Sequence, residues 1–117
     1  MTMAASQDLY ADLAQALQDF WEYYTGVRPA HTQVVVDEQT IAVCLEQVLS
    51  PAEREMASTR VGREMLKELK EHMLEQATPH LQRLVESAVE RKDSQAVVLF
   101  DVTNGNVLGF FRASQTA

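Results

Sequence analysis

Cysteine occurs once in this chain, as Cys44, so no intramolecular disulfide forms and a stapled secreted scaffold is excluded. Glycines number only four and do not cluster. That leaves no phosphate-cradling loop and no dinucleotide fingerprint, and no serine sits in a Gly-x-Ser-x-Gly elbow. No apolar run approaches the roughly 20 residues that cross a bilayer. The stretch Met1 to Gln7 has neither a basic start nor an apolar centre, so no secretory signal is expected. Basic residues are scarce outside the middle of the chain. Eight acids and eight bases fall between Glu53 and Lys92, leaving nine acids against two bases, Arg28 and Arg112, elsewhere. Nucleic-acid binding needs a cationic surface that displaces counterions. The expectation is a soluble, cytoplasmic protein that neither spans a membrane nor binds nucleic acid.

What the chain does have is an ordinary composition for one folded domain: 117 residues, 46% hydrophobic and 23% charged. A single domain over residues 1–117 is expected, ordered over about 8–112, with tails at 1–5 and 113–117. Ser6 to Tyr24 reads as a helix capped by Ser6, with Leu9, Leu13, Ala16, Leu17, Phe20 and Tyr24 as its apolar stripe. Gly26 ends it and Pro29 forbids its resumption. Thr32–Val36 and Ile41–Leu49 read as strands joined by a turn at Glu38-Gln39. That turn sets Val36 opposite Ile41, Val34 opposite Val43 and Gln33 opposite Cys44. Ser50-Pro51-Ala52-Glu53 is a capping box with proline at the first helical position. A short helix follows to about Ala57, interrupted at Ser58-Thr59. From Arg60 a longer helix carries Val61, Met65, Leu69, Met73 and Gln76/Ala77 as its buried stripe, and Pro79 kinks or breaks it with Thr78 as the new cap.

Asn104-Gly105 predicts a type I′ hairpin between Ala96–Val102 and Val107–Arg112. Its register sets Val102 opposite Val107, Phe100 over Gly109 and Val98 opposite Phe111. The order α-ββ-α(α)α-ββ implies an α+β fold with an antiparallel sheet from two hairpins, packed with three to four helices. The second hairpin is apolar on both faces, which calls for helices on both sides of the sheet or for burial against another subunit, as in a homodimer.

Chemistry-bearing constellations are lacking. His72 and His80 stand about 12 Å apart along a helix axis, too far for one metal, and His31 lies in a distant loop. No metal and no cofactor is expected. Cys44 has no cationic neighbour in sequence to activate it, so a packed, inert thiol is expected. The candidate residues are therefore contact residues. Trp21 and Tyr23 lie partly off the stripe of the first helix, so one of them is free for a partner, and Arg28 stands close by. Glu46 interrupts an apolar strand end and is read either as an outward acid or as a half-buried carboxylate paired with Arg28 or Arg63.

Two stretches carry a resemblance. Tyr24-Thr25-Gly26-Val27-Arg28-Pro29, followed by Leu45-Glu46-Gln47-Val48-Leu49-Ser50-Pro51-Ala52-Glu53, resembles the bacterial MpsC-like domain, as do Gly62-Arg63-Glu64 and Pro79-His80-Leu81. The loop Val27-Arg28-Pro29 departs from that pattern by lacking a second glycine. The resemblance implies a non-catalytic accessory or regulatory protein tied to membrane-potential generation and inorganic carbon uptake. It would act through protein contacts, with a membrane transport subunit as one such partner. Gly26, Arg28, Pro29 and Glu46 are the positions that match the motif. A small enzyme or ligand-binding protein, with a pocket between sheet and helices, is the alternative.

Overall fold

Leu13, Leu17 and Trp21 recur at four-residue spacing and are all buried, which gives the first helix its inward stripe. In the computed structural model, which describes residues 2–37, 39–89 and 95–112 (side chains from Tyr10 onward), this helix is α1, Thr2–Thr25. It starts a turn before Ser6, so Ser6 lies within it rather than capping it, and residues 2–5 are helix rather than tail. Met1, the side chain of Leu9, the turn residue Glu38 and the expected tail 113–117 fall outside the described parts. Trp21 replaces Phe20 and Tyr24 at the centre of the stripe. Those two are only half-buried and stack on each other with centroids 5.5 Å apart.

Gly26 ends α1 at φ +81°, where an L side chain is strained, and its N–H donates to the Glu22 carbonyl at 2.7 Å. Strands β1 (His31–Val36) and β2 (Thr40–Glu46) then pair antiparallel in the expected register, Val36 with Ile41, Val34 with Val43 and Gln33 with Cys44. Strand β2 stops at Glu46, three residues short of the expected end. Gln47 takes φ +57°, which breaks the strand, and Val48 N–H turns to the Gly105 carbonyl at 2.9 Å. Ser50 Oγ accepts from Glu53 N–H at 3.2 Å while the Glu53 carboxylate accepts from Ser50 N–H at 2.9 Å, the reciprocal box that starts α2 (Pro51–Met56).

Thr59 restarts the helix, its Oγ1 accepting from Gly62 N–H at 3.0 Å, and α3 runs unbroken from Arg60 to Val89 with Pro79 inside it. Thr78 does not cap a new helix, because its hydroxyl donates to the Leu74 carbonyl at 2.6 Å. Ala77 and Leu81 are buried on either side of Pro79. The buried stripe of α3 is Leu66, Lys70, Leu74, Ala77, Leu81 and Val85. The expected stripe is displaced over its first part: Val61, Met65 and Leu69 are exposed and Met73 is half-buried, whereas Ala77 is buried as expected. Gly62 sits where α2 meets α3, and a Cβ there would collide with the Met56 carbonyl oxygen. Gly62→Ala is expected to cost about 1–3 kcal/mol by forcing the two helices apart, read as a lower urea midpoint.

Strands β3 (Gln95–Asp101) and β4 (Asn106–Arg112) pair with Phe100 opposite Val107, Val98 opposite Gly109 and Ala96 opposite Phe111. This register is two residues from the expected one, so every side chain keeps its face. A four-residue turn replaces the two-residue type I′ turn. Asp101 Oδ1 accepts from Thr103 N–H at 3.0 Å and Asn104 N–H at 3.3 Å, and Gly105 alone takes positive φ, +69°. Phe100 therefore does not cover Gly109. The Phe111 ring does, 2.9 Å from where a Cβ would stand.

The sheet is antiparallel with order β1-β2-β4-β3. The expected α+β class is thus the observed one, with three helices among the described residues. Helix α1 lies against β1 and α3 against β3. The core forms between these helices and one sheet face, from Ile41, Val43, Leu45, Phe100, Val107 and Phe111 with the helix residues already named.

Candidate interaction surface

Period-two alternation sends the other half of each strand to the opposite sheet face. There Val35, Val97, Leu99 and Phe110 are 43–62% exposed, with Ala42, Cys44 and Leu108 half-buried among them. The pairings Cys44–Leu108–Leu99 and Ala42–Phe110–Val97 make two adjacent apolar rows across the sheet. Polar residues close both ends. At one end Asp101 pairs with Asn106, and Glu46 lies one residue past the Leu45–Val107 pair. At the other, Arg112 lies between Thr40 and Gln95. Burial raises the Cys44 thiol above its usual range, and the carboxylates of Glu46 and Asp101 push it the same way, so the thiol form is favoured.

A second apolar patch lies on the helical layer. Val61, Met65 and Leu69, 49–65% exposed, recur at four-residue spacing on a side of α3 turned away from Leu66, Lys70 and Leu74. Met56 at the end of α2 is exposed as well.

The two candidate aromatics separate. Tyr23 is 89% exposed, whereas Trp21 is 0% exposed and sits in the core, so Trp21 has no surface to offer a partner. Arg28 is clamped onto α1: its Nη1 reaches Glu22 Oε1 at 2.8 Å and Asp19 Oδ1 at 3.0 Å. Gln18 Nε2 donates to the Pro29 carbonyl at 2.8 Å, fastening the loop that Gly26 and Pro29 shape. Arg63 donates to the Ala57 carbonyl at 3.0 Å. Neither arginine therefore pairs with Glu46, which is half-buried on the open sheet face beside His31.

The charged pair that sequence spacing did not reveal is Lys70 with Glu53, Nζ to Oε2 at 2.8 Å, the lysine side chain only 3% exposed. Burial on its own would raise the Glu53 carboxyl. The hydrogen bonds from Lys70 and from Ser50 N–H, together with the lysine charge, outweigh burial and hold it below its usual range. The pair ties the capping box of α2 to the middle of α3.

A cleft of about 640 Å³ opens between the β3–β4 turn, the segment Gln47–Leu49 and α2. Arg54 is the one ionisable residue lining it, beside Gln47, Ser58, Thr103 and Asn104. Such a lining can hold a ligand by hydrogen bonds but pairs no acid with a base. Among the described residues no cluster of three or more His, Cys, Asp or Glu is placed to hold a metal.

The family described as Na+-translocating membrane potential-generating system (MpsC) matches residues 5–111. The chain belongs to the MpsC family. Neither curated proteins nor solved structures give a match. The match takes in the surface residues described above except Arg112, and the family's description names a membrane system, while none of the described helices is long and apolar enough to cross a membrane.

Proposed function

We propose that this protein is a non-catalytic accessory component of a Na+-translocating, membrane-potential-generating system, acting through protein contacts from the cytoplasmic side. The observation that carries the reading is the grouping of exposed apolar side chains. Among the described residues, eight of the nine large ones fall in two patches, four on the open sheet face and four on α2 and α3. Scattered exposed hydrophobics need no explanation, whereas contiguous ones mark contact surfaces. Two patches on opposite layers suit a component that makes two contacts. Tyr23 and Arg28, exposed at the end of α1, are further contact candidates, since tyrosine and arginine are frequent interface anchors.

Tagged protein recovered from detergent-solubilised membranes of its host is expected to bring ion-transport subunits with it. Met65→Glu with Leu69→Glu is expected to reduce that recovery at least about tenfold, a loss of roughly 1.4 kcal/mol or more of contact energy, while leaving the fold intact. Equal recovery by wild type and variant, or recovery of no membrane subunit by either, counts against the reading. A second reading, a ligand-binding protein, is favoured by the cleft beside Arg54, and saturable binding of a small anion lost in Arg54→Ala would support it.

A further inference from the structure

We infer that the open sheet face binds a second copy of this chain, forming a twofold sandwich of two four-stranded sheets with the helices outside. The inference deepens the accessory reading by assigning one of its two patches, and it leaves the α3 patch for a different protein.

Size is the first argument. Four strands at about 4.8 Å spacing and some seven residues at about 3.4 Å each give a face of roughly 19 by 24 Å. Two corrugated faces of that footprint approach the roughly 1,000 Å² of total buried area at which specific interfaces begin. Sheets with apolar faces pack in this way at a separation of about 10 Å and an offset of about 30°.

Charge supplies the second argument and selects the orientation. One end of the face carries Glu46 and Asp101 on either side of Asn106, with His31 beside Glu46, and the other end carries Arg112, with Asp37 just past β1. Face-to-face twofold packing allows an axis along the strands or across them. An axis along the strands stacks the two acidic ends upon each other. An axis across the strands lays β4 antiparallel over its copy and brings each Arg112 over the partner's Asn106, between the two carboxylates. The sheet offset shifts the rim by about one strand spacing, and a carboxylate stands on either side to receive it. The same axis runs between the two apolar rows, so each Phe110 lies on the other copy's Leu108 and each Val97 on the other copy's Leu99. An isologous contact requires this kind of self-complementarity.

The test uses the full chain in sedimentation equilibrium. Wild type is expected at twice 13.2 kDa. Leu99→Lys and Phe110→Lys, both at solvent-facing positions, are expected at the single-chain mass with helical circular dichroism unchanged. Arg112→Glu is expected to raise the dimer dissociation constant about tenfold, and adding Glu46→Arg in the same chain to restore most of it. A wild-type chain that stays monomeric at high micromolar concentration overturns the dimer. So does a dimer indifferent to both lysine variants, and a charge reversal without rescue overturns the crossed orientation. A monomer that still recovers membrane subunits fails this inference alone, and a dimer that recovers none fails the accessory reading alone.

Discussion

Glu53→Ala is expected to destabilise the protein by about 3–5 kcal/mol, because it strands the buried Lys70 ammonium without its counter-charge. Loss of the capping-box side chain at the start of α2 adds up to about 1 kcal/mol. A domain of this size has about 5–15 kcal/mol in total, so much of the stability goes with one carboxylate. Urea denaturation would show a lower midpoint at an unchanged slope. Lys70→Met in the same background should recover part of the loss, since an apolar side chain of similar length leaves nothing charged in the core. The pH dependence has a definite sign. The Glu53 carboxyl is held below its ordinary 4.5 in the folded protein, so its contribution is complete above that value. It disappears as pH falls through the lowered folded value. Glu53→Gln should lack this component of acid destabilisation, and equal acid sensitivity in wild type and variant would refute the assignment.

Trp21→Ala is the second large effect, expected at about 3–5 kcal/mol. Trp21 is the largest fully buried side chain and packs with Leu13 and Leu17 against the sheet. Its indole Nε1 has no hydrogen-bond partner among the described residues, and neither has the buried Thr32 hydroxyl. An unsatisfied buried donor costs about 1–3 kcal/mol, so part of the benefit of burying this ring is already cancelled. Trp21→Phe removes the orphan donor while keeping an aromatic ring, and is expected to cost only about 1–2 kcal/mol. Thermal and urea unfolding of the two variants side by side would decide. A phenylalanine variant as damaged as the alanine one would mean that the indole nitrogen is satisfied in solution.

Local chemistry made some elements legible in advance and hid others for identifiable reasons. The first hairpin could be registered because a short polar turn places Val34, Val36, Ile41, Val43 and Leu45 together on one face. The second was displaced by two residues because Asn104-Gly105 reads as a complete turn, whereas the Asp101 side chain captures two amide groups and lengthens it. Helix α3 carries two apolar stripes, and the buried one contains Lys70. A lysine in the pattern argues for solvent unless its acid is known, and that acid, Glu53, lies on another helix. The same blindness concealed the Glu53–Lys70 pair and offered Glu46 two arginines that are engaged elsewhere, while its outward-facing reading agrees with its place on the open sheet face. The apolar character of both faces of the second hairpin was readable from residues alone. Which face the helices would cover was not, because that depends on the order in which the hairpins join.

That order has a kinetic consequence. The central seam of the sheet joins β2 to β4, and Val43 meets Gly109 across it, so the two hairpins close on each other over a long stretch of intervening chain. Each hairpin is local and quick to form, whereas the seam must first meet the entropy of a large loop. Closing this seam is therefore expected to be the slow step of folding. Until it happens, the inner edges of both hairpins present unpaired backbone to any neighbouring chain.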